Sequence, residues 1–296
     1  MNYVLAVCLA ICWGTPFLST KYIVEALPPY WGTFYIVLAG LLFLTALYML
    51  QHKSLRISPR QLWRPWLIGF LLILLPFAAR SWGQRFVAPT IGGLMNGTVP
   101  IWAFVAGAVL LKGVDRFTWR RAIGVLIGLG GLLVIIGPSS LSMETNRWAL
   151  YGSLALLLMA WSYALGNVAT KKIMVDSQAV SLEANAFHQY LFSAVVLLFV
   201  AVSCEPLPAW SSFSTKVIVS IIYAGFVCSA IAFLLLVALL KRWGATRASA
   251  ISYFAPVVAM IGDLIAYHRF PGINEIIGLV LILISSALIQ KAVSAK

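Results

Sequence analysis

Long apolar stretches alternate with short polar or charged breaks along the whole chain. A run of about 20 apolar residues has the length that an α-helix needs to cross the hydrocarbon core of a bilayer. Breaks at Pro, Gly and charged positions divide the chain into ten such runs, which we number spans 1 to 10. They cover residues 3–26, 30–50, 64–85, 89–111, 118–137, 149–172, 180–202, 216–240, 246–267 and 273–292. The pattern predicts an all-α integral membrane protein with ten transmembrane helices.

The connections between spans are too short to hold a separate soluble domain. The longest are His52–Leu62, Pro138–Arg147 and Cys204–Thr215. The composition agrees, since 62% of the residues are hydrophobic and 10% are charged, against about 25% charged in soluble domains. Span 1 has neither the basic segment nor the cleavage site of a signal peptide, so we expect it to remain as a helix.

Lysine and arginine are distributed unevenly between alternate connections. With the N-terminus inside, the cytoplasmic set is Lys53, Arg56, Arg60, Arg64, Lys112, Arg116, Arg120, Arg121, Lys171, Lys172, Lys241, Arg242, Arg247, Lys291 and Lys296. The opposite set is only Arg80, Arg85, Arg147, Lys216 and Arg269. Because cytoplasmic connections carry the excess of Lys and Arg, both termini are predicted to be cytoplasmic. The same clusters explain the net charge of +13 and form no basic face for nucleic acid.

The two halves of the chain share a weak internal repeat. Spans 4 and 9 align at an offset of 156, which places Pro100 on Pro256 and Thr90 on Thr246. Trp13-Gly14 aligns with Trp161-Ser162, and Ile123-Gly124 aligns with Ile277-Gly278. We therefore predict two five-helix repeats, residues 1–140 and 141–296. Because five is odd, the second repeat must be inverted in the membrane, which is an architecture of transporters that bind substrate between the halves near the midplane.

Several short motifs indicate a known family. They are the segment Ala-Ile-Cys-Trp-Gly-Thr-Pro-Phe at Ala10–Phe17, its partial echo at Met159–Tyr163, the small-residue runs through Pro100 and Pro256, and the Gly-rich fifth and tenth spans. In this order, and over essentially the whole chain, they resemble the drug/metabolite transporter superfamily and specifically its EamA-like ten-helix exporters.

The resemblance implies export by alternating access across a bacterial inner membrane. The expected substrates are amino acids, related metabolites or lipophilic cations. The chain is most similar to the branch that exports aromatic and neutral amino acids. A multidrug or quaternary-cation exporter and a passive channel are the alternatives. The first would place a carboxylate in the cavity and the second would show a continuous polar stripe, neither of which is evident here.

Aromatic side chains at mid-membrane depth are candidates for the substrate site. Trp and Tyr usually favour the membrane interfaces, so central positions indicate a hydrated cavity or another helix. Such rings would stack on aromatic substrates and attract cations. Bundle packing or lipid contact is the alternative for each residue singly. The set is Trp13, Phe77, Trp102, Trp161, Tyr163 and Tyr253. The resemblance implies a cavity walled mainly by spans 3, 4, 8 and 9.

Two polar residues and two prolines complete the predicted site. Asn96 could bind the substrate's polar groups or join helices, and Arg80 could attract a carboxylate or extend to the outer surface. Pro100 and Pro256 each remove a backbone donor within a span. They are predicted to form a paired hinge or gate, with static kinks as the alternative.

Titratable residues within spans bear on energy coupling, for which protons are the candidate ion. Glu183 and His188 lie near the cytoplasmic end of span 7, and Asp263 lies in the outer half of span 9. None lies at the predicted midplane, so facilitated export remains the alternative.

Enzymatic motifs are absent from the sequence. There is no Walker loop, paired carboxylate, metal-ligand spacing or GxSxG segment. We therefore predict that the chain is not an enzyme and that it uses neither a cofactor nor a metal. Its expected partners are a small-molecule substrate and membrane lipids, and a monomeric functional unit is compatible with the sequence.

Overall fold

The computed structural model describes residues 2–110, 119–136, 143–175, 180–236, 238–239, 242, 251 and 254–294. Helices joined by short connections make up these ranges. In chain order the α-helices are α1 (Asn2–Gly14), α2 (Pro16–Ala26), α3 (Pro29–Leu50), α4 (Trp63–Gly69), α5 (Leu75–Gly83), α6 (Pro89–Asn96), α7 (Val99–Leu110), α8 (Trp119–Ile136), α9 (Met143–Val175), α10 (Leu182–Cys204), α11 (Thr215–Ile222), α12 (Ala255–Tyr267) and α13 (Ile273–Ser294).

Six helices in the described ranges are long and apolar enough to cross a membrane. They are Asn2–Ala26, Pro29–Leu50, Pro59–Gly83, Arg147–Thr170, Leu182–Cys204 and Thr215–Leu236, which correspond to spans 1, 2, 3, 6, 7 and 8. Shorter apolar helices occupy the places of spans 5, 9 and 10. The prediction of an all-helical membrane protein agrees with this architecture. The count of ten helices and the orientation of the termini stay predictions.

Prolines divide several spans into shorter helices. In span 1 the single turn residue Thr15 separates α1 from α2, although its N–H still bonds to the carbonyl of Ile11 at 3.0 Å, so the span stays one membrane-length helix. Span 4 is divided between α6 and α7 just before Pro100. We expected Pro100 and Pro256 to kink continuous helices. Instead Pro100 lies in the first turn of α7, and Pro256 lies in the first turn of α12. Proline is tolerated there because the first-turn N–H groups have no partner within the helix.

Spans 3 and 8 each contain a stretch of π-helix. In span 3 it covers Phe70–Leu74, between α4 and α5, and in span 8 it covers Tyr223–Ile231, after α11. Such turns loosen the regular hydrogen bonding and occur preferentially at functional sites. The repeat-related spans 3 and 8 thus share an irregularity that the hydrophobic pattern did not predict.

Helix packing joins the first half of the chain to the second. Span 2 packs on span 7, span 4 on span 9, and span 5 on span 10. Span 3 packs on spans 6 and 7, and span 8 packs on spans 1 and 2. Each of these contacts has a counterpart when the two halves are exchanged, as expected for a pseudo-twofold arrangement.

Glycines allow the closest of these approaches. A β-carbon on Gly93 would overlap Ala259, and one on Gly131 would lie 3.1 Å from the carbonyl oxygen of Gly278. Lipid tails provide no hydrophobic drive for helix association, so close backbone contact is what holds such helices together. The glycines of spans 4 and 5 therefore allow these spans to pack closely on spans 9 and 10.

Candidate functional site

A buried arginine without a counter-ion lies where spans 3, 6, 7 and 8 meet. Arg80, on α5, is only 4% exposed, and its guanidinium carbon lies 4.5 Å from the centre of the Phe77 ring. Its Nε is buried without a hydrogen-bond partner, and no ion pair found among the described residues includes Arg80. A buried charge without compensation is costly, so this position holds a positive charge that a bound anion would stabilise.

Phenol and thiol groups surround this guanidinium. Tyr163, Tyr190 and Cys228 are near enough to interact electrostatically with it. Tyr163 packs between the two largest apolar clusters of the bundle. Tyr190 packs beside Gly40, where a β-carbon would lie 2.7 Å from the tyrosine ring. Arg80 therefore faces hydroxyl and aromatic groups from the second half of the chain.

The turn residue of span 1 adds a further polar group to this region. Thr15 lies between α1 and α2, and its hydroxyl is 2.9 Å from the Tyr223 hydroxyl and 3.6 Å from the Cys228 thiol. It also donates to the carbonyl of Ile11 at 2.7 Å. Thr15 thus joins span 1 to the π-helical stretch of span 8. The sequence reasoning missed Thr15, Tyr190, Tyr223 and Cys228, although Thr15 lies inside the Ala10–Phe17 motif.

The predicted site residues do not all lie together. Phe77 and Tyr163 lie with Arg80, whereas Trp13 packs with an apolar cluster of α1 around Leu9. Trp161 is 43% exposed, on a face of α9 that also exposes Leu154 and Leu158 and is therefore turned away from the bundle. Tyr253 lies outside the described residues. A substrate role for Trp13 and Trp161 stays a prediction.

The break in span 4 holds two further predicted site residues. Asn96 is the last residue of α6, and the Trp102 indole donates to the Thr98 hydroxyl at 3.1 Å. Thr98 in turn donates to the carbonyl of Met95 at 2.6 Å. These bonds satisfy polar groups that the broken helix would otherwise leave without partners. Pro256, repeat-related to Pro100, lies close by, since a β-carbon on Gly97 would approach it to 3.0 Å.

The three candidate coupling residues occupy different environments. Glu183 forms an ion pair with Lys53 at 3.5 Å, and His188 lies 3.0 Å from the carbonyl oxygen of Leu55, both at the predicted cytoplasmic end. Asp263 is only 1% exposed. Asp263 is therefore deeply buried, whereas Glu183 and His188 lie beside the connection that follows span 2.

Asp263 belongs to a polar cluster near the opposite end of the bundle. Its Oδ2 accepts hydrogen bonds from Thr90 at 2.6 Å and from Arg269 at 3.0 Å, and Arg269 also pairs with Glu275. Its Oδ1 is buried without a partner. Burial opposes the Arg269 cation, but Glu275 and Asp263 outweigh that effect and raise its pKa above the ordinary value. Asp263 therefore has a counter-ion in Arg269 and one carboxylate oxygen without a hydrogen-bond partner.

No group of three or more His, Cys, Asp or Glu side chains with the geometry of a metal site occurs within the described ranges. The polar groups near Arg80 are hydroxyls, thiols and a guanidinium. Together with the apolar helices, they define a membrane protein with a charged, ring-lined centre between two halves, which is the arrangement of a transporter of small molecules.

Comparison with known proteins gives the family. The model of the EamA-like transporter family matches the chain twice, over residues 1–137 and 150–290. The chain belongs to this family, so the resemblance inferred from the motifs is confirmed. A transporter family implies a role in transport rather than catalysis.

Curated relatives cover most of the chain at low identity. The uncharacterized transporter YoaV of Bacillus subtilis is 25% identical over 274 residues, with 93% of this chain and 91% of that protein covered. The uncharacterized inner membrane transporter YedA of Escherichia coli K12 is 26% identical, covering 86% and 78%. A probable amino-acid metabolite efflux pump of the same strain is 24% identical, covering 95% and 91%.

A solved crystal structure shares the fold. Its TM-score is 0.68 at 20% identity, and the match covers 99% of this chain and 98% of the other. At this identity the likeness concerns the fold alone.

Proposed function

We propose that this protein is an alternating-access exporter of amino acids, aromatic or large neutral, or of related small metabolites, across a bacterial inner membrane. The transport role follows from the family, and the substrate class is our inference. The observation that carries it is Arg80, a buried guanidinium between the two halves of the chain that forms no ion pair with any carboxylate among the described residues.

A substrate carboxylate is the group that this arginine lacks. Guanidinium binds carboxylate through two parallel hydrogen bonds, and these are roughly twice as strong as neutral ones. The unpaired Nε of Arg80 is one of the donors available for such a bond. Arg80 therefore binds the carboxylate end of the substrate.

Aromatic rings beside Arg80 suit the other end of the substrate. Phe77 lies against the guanidinium, and Tyr163 and Tyr190 lie around it. Stacking and edge contacts between aromatic rings are worth about 0.5–1.5 kcal/mol per pair beyond area burial. This favours aromatic and large neutral side chains over small ones.

The positive charge opposes the alternative of a quaternary-cation exporter. A site for cations needs a carboxylate or an electron-rich ring free of competing charge. The Phe77 ring is already covered by the Arg80 guanidinium. A cation entering this site would meet repulsion, and we therefore assign the site to carboxylates.

Broken helices favour alternating access over a passive channel. Arg80 is almost closed off from solvent, so a substrate reaches it only if helices move. Span 4 is interrupted near the middle, before Pro100, and span 1 is divided by the turn residue Thr15. Discontinuous helices of this kind surround the sites of many transporters, and their ends absorb changes in backbone angle. Pro100 and Pro256, at helix starts, are the proposed gate.

The test is uptake into proteoliposomes of purified protein. Labelled amino acids, 3-phenylpropionate and a quaternary ammonium compound are compared at increasing concentration. We expect saturable uptake of aromatic or large neutral amino acids and none of the ammonium compound. Transport of the ammonium compound alone would assign the site to cations, and uptake that never saturates would indicate a channel.

We further propose that protons are the coupling ion and that Asp263 carries them. Asp263→Asn removes the negative charge but keeps an oxygen that can accept the bond from Thr90, and Arg269 keeps Glu275 as a partner, so the variant is expected to fold. An imposed pH gradient is expected to stimulate uptake severalfold in the wild-type protein and not in this variant. Glu183→Gln, which changes a carboxylate paired with Lys53 at the other end, serves as the control and is expected to keep the stimulation. An Asp263→Asn variant that still responds to the gradient would contradict the assignment.

A further inference from the structure

A second cavity lies apart from Arg80, at the predicted outer end of the bundle. Its volume is about 560 Å³, which is within the range of roughly 300–1,000 Å³ usual for small-molecule sites. The ends of α2, α5 and α10 and the beginning of α3 enclose it. The lining residues that matter here are Glu25, Tyr30, Trp82, Arg85, Cys204 and Glu205.

Three charged residues line this cavity: Glu25, which pairs with Lys21, and Arg85 and Glu205, which do not pair with each other. Arg85 is close enough to Glu205 to stabilise its carboxylate electrostatically, yet no ion pair within 4.0 Å joins them among the described residues. Both line the same space. A ligand that carries a positive and a negative group would complete both interactions at once.

The backbone fixes the position of Glu205. Its Oε2 accepts hydrogen bonds from the N–H groups of Tyr30 at 2.9 Å and Trp31 at 3.1 Å, at the start of α3. Burial nevertheless raises the pKa of Glu205 above its ordinary value, against these two donors and Arg85. The carboxylate is therefore held in place but not fully compensated, so a ligand ammonium group would stabilise it.

Aromatic rings form part of the cavity wall. Trp82 and Tyr30 both line it, and Trp82 is held edge-on against Phe86 at a ring distance of 5.0 Å. A fixed indole provides a surface for an aromatic side chain or for an ammonium group. The cavity wall, like the Arg80 site, therefore suits a ligand with an aromatic side chain.

We infer that this cavity binds a zwitterion, with its ammonium group on Glu205, its carboxylate on Arg85 and its side chain against Trp82. It serves as an outer vestibule site for the amino acid that passes Arg80, and in this sense it rests on the proposed function. Arg85 follows Arg80 by five residues and lies just beyond the end of α5 at Gly83. It is therefore nearer than Arg80 to the predicted outer end of the bundle. The headgroup of phosphatidylethanolamine has the same two charges and is the other source of this chemistry.

Cys204 provides a reporter inside the cavity. It is exposed, as is Cys8, whereas Cys12 and Cys228 are buried. In a Cys8→Ser background, a maleimide therefore labels Cys204 selectively. The rate of Cys204 labelling is measured in detergent with phenylalanine, phenethylamine or 3-phenylpropionate. Phenethylamine lacks the carboxylate, and 3-phenylpropionate lacks the ammonium group. The rate is then measured without amino acid in nanodiscs of phosphatidylethanolamine and of phosphatidylglycerol.

Phenylalanine is expected to slow the labelling at least fivefold, and the singly charged analogues much less. Arg85→Gln and Glu205→Gln are expected to abolish the protection, and the glutamine oxygen can still accept the two N–H groups of α3. Arg147→Gln is the matched control, because Arg147 is an exposed arginine over a neighbouring ring, as Arg85 is, but it does not line the cavity. It is expected to keep full protection.

The outcomes separate this inference from the proposed function. Arg80→Gln is expected to abolish transport and leave the protection of Cys204 intact. Protection by phosphatidylethanolamine without any effect of phenylalanine would keep the zwitterion site and assign it to lipid. Labelling that neither ligand changes, or protection that survives both Arg85→Gln and Glu205→Gln, would overturn the inference whatever the transport assay shows.

Discussion

Arg80→Gln is expected to abolish saturable amino-acid transport without unfolding the protein. Glutamine keeps a hydrogen-bonding side chain of similar length but removes the charge that binds the carboxylate. Two charge-assisted hydrogen bonds are lost, and at about 1.5 kcal/mol or more each this corresponds to roughly 100-fold weaker binding. Apparent affinity and maximal rate in proteoliposomes measure the effect. Arg80→Lys, which keeps the charge without the planar fork, is expected to retain part of the activity.

The stability of the same variant distinguishes a functional role from a structural one. Arg80 is buried and pairs with no carboxylate in the part of the chain that the structure describes, so its removal relieves a desolvation cost. The melting temperature in detergent is therefore expected to stay the same or rise. Arg64→Gln, at the other end of span 3, is the matched control and is expected to leave transport unchanged. A fall in stability that parallels the loss of transport would mean that Arg80 holds the bundle together rather than the substrate.

Gly225→Ala is expected to destabilise the protein, whereas Gly130→Ala, which adds a methyl group into open space, is not. A β-carbon at Gly225 would lie 2.6 Å from the carbonyl oxygen of Ile36, 2.7 Å from the Ala39 β-carbon and 3.0 Å from the Gly40 nitrogen. Backbone atoms cannot move aside as a flexible side chain can, so spans 2 and 8 must separate. Overpacking of this kind costs about 1–3 kcal/mol, occasionally more. Thermal denaturation in detergent measures it.

Gly130→Ala is the control for this substitution. Gly130 lies on α8 with nothing within 4 Å of the position that a β-carbon would take. Alanine is the better helix former by about 1 kcal/mol, so stability is expected to be unchanged or slightly higher. Equal melting temperatures for the two variants would show that spans 2 and 8 are not packed as closely as described. Because Gly40 and Tyr190 lie at the same contact, Gly225→Ala is also expected to impair transport.

The helices were largely predictable because their length is set by the bilayer. The predicted spans 30–50 and 273–292 correspond closely to α3 and α13, and Pro29 and Pro89 are the first residues of α3 and α6. A hydrophobic run of fixed length is a strong signal even in a single sequence. The π-helical stretches in spans 3 and 8 left no such signal, since they depend on which neighbour the helix packs against.

The candidate site was predictable only in part. Arg80, Phe77 and Tyr163 stand out because charge and aromatic rings are unusual at mid-membrane depth. Tyr190 and Cys228 have no such signal in the sequence. They lie near Arg80 because of the sides on which their helices face it. Trp161 is the opposite case. Its depth in the membrane predicted a site residue, but it lies on an exposed face of α9 that is turned away from the bundle. The depth of a residue in the membrane follows from its position in the chain, whereas the direction in which its side chain points depends on how the helices pack.

The sequence by itself determined the class of protein, the positions of its apolar helices and the family, because hydrophobic length and short motifs are local properties. Only the tertiary structure decided which polar groups lack partners. Within the described ranges it left Arg80 without a paired carboxylate, gave Asp263 both Thr90 and Arg269, and placed Arg85 and Glu205 unpaired on one cavity. The residues that balance a buried charge are distant from it in the sequence. They come into contact with it only when helices from the two halves pack together.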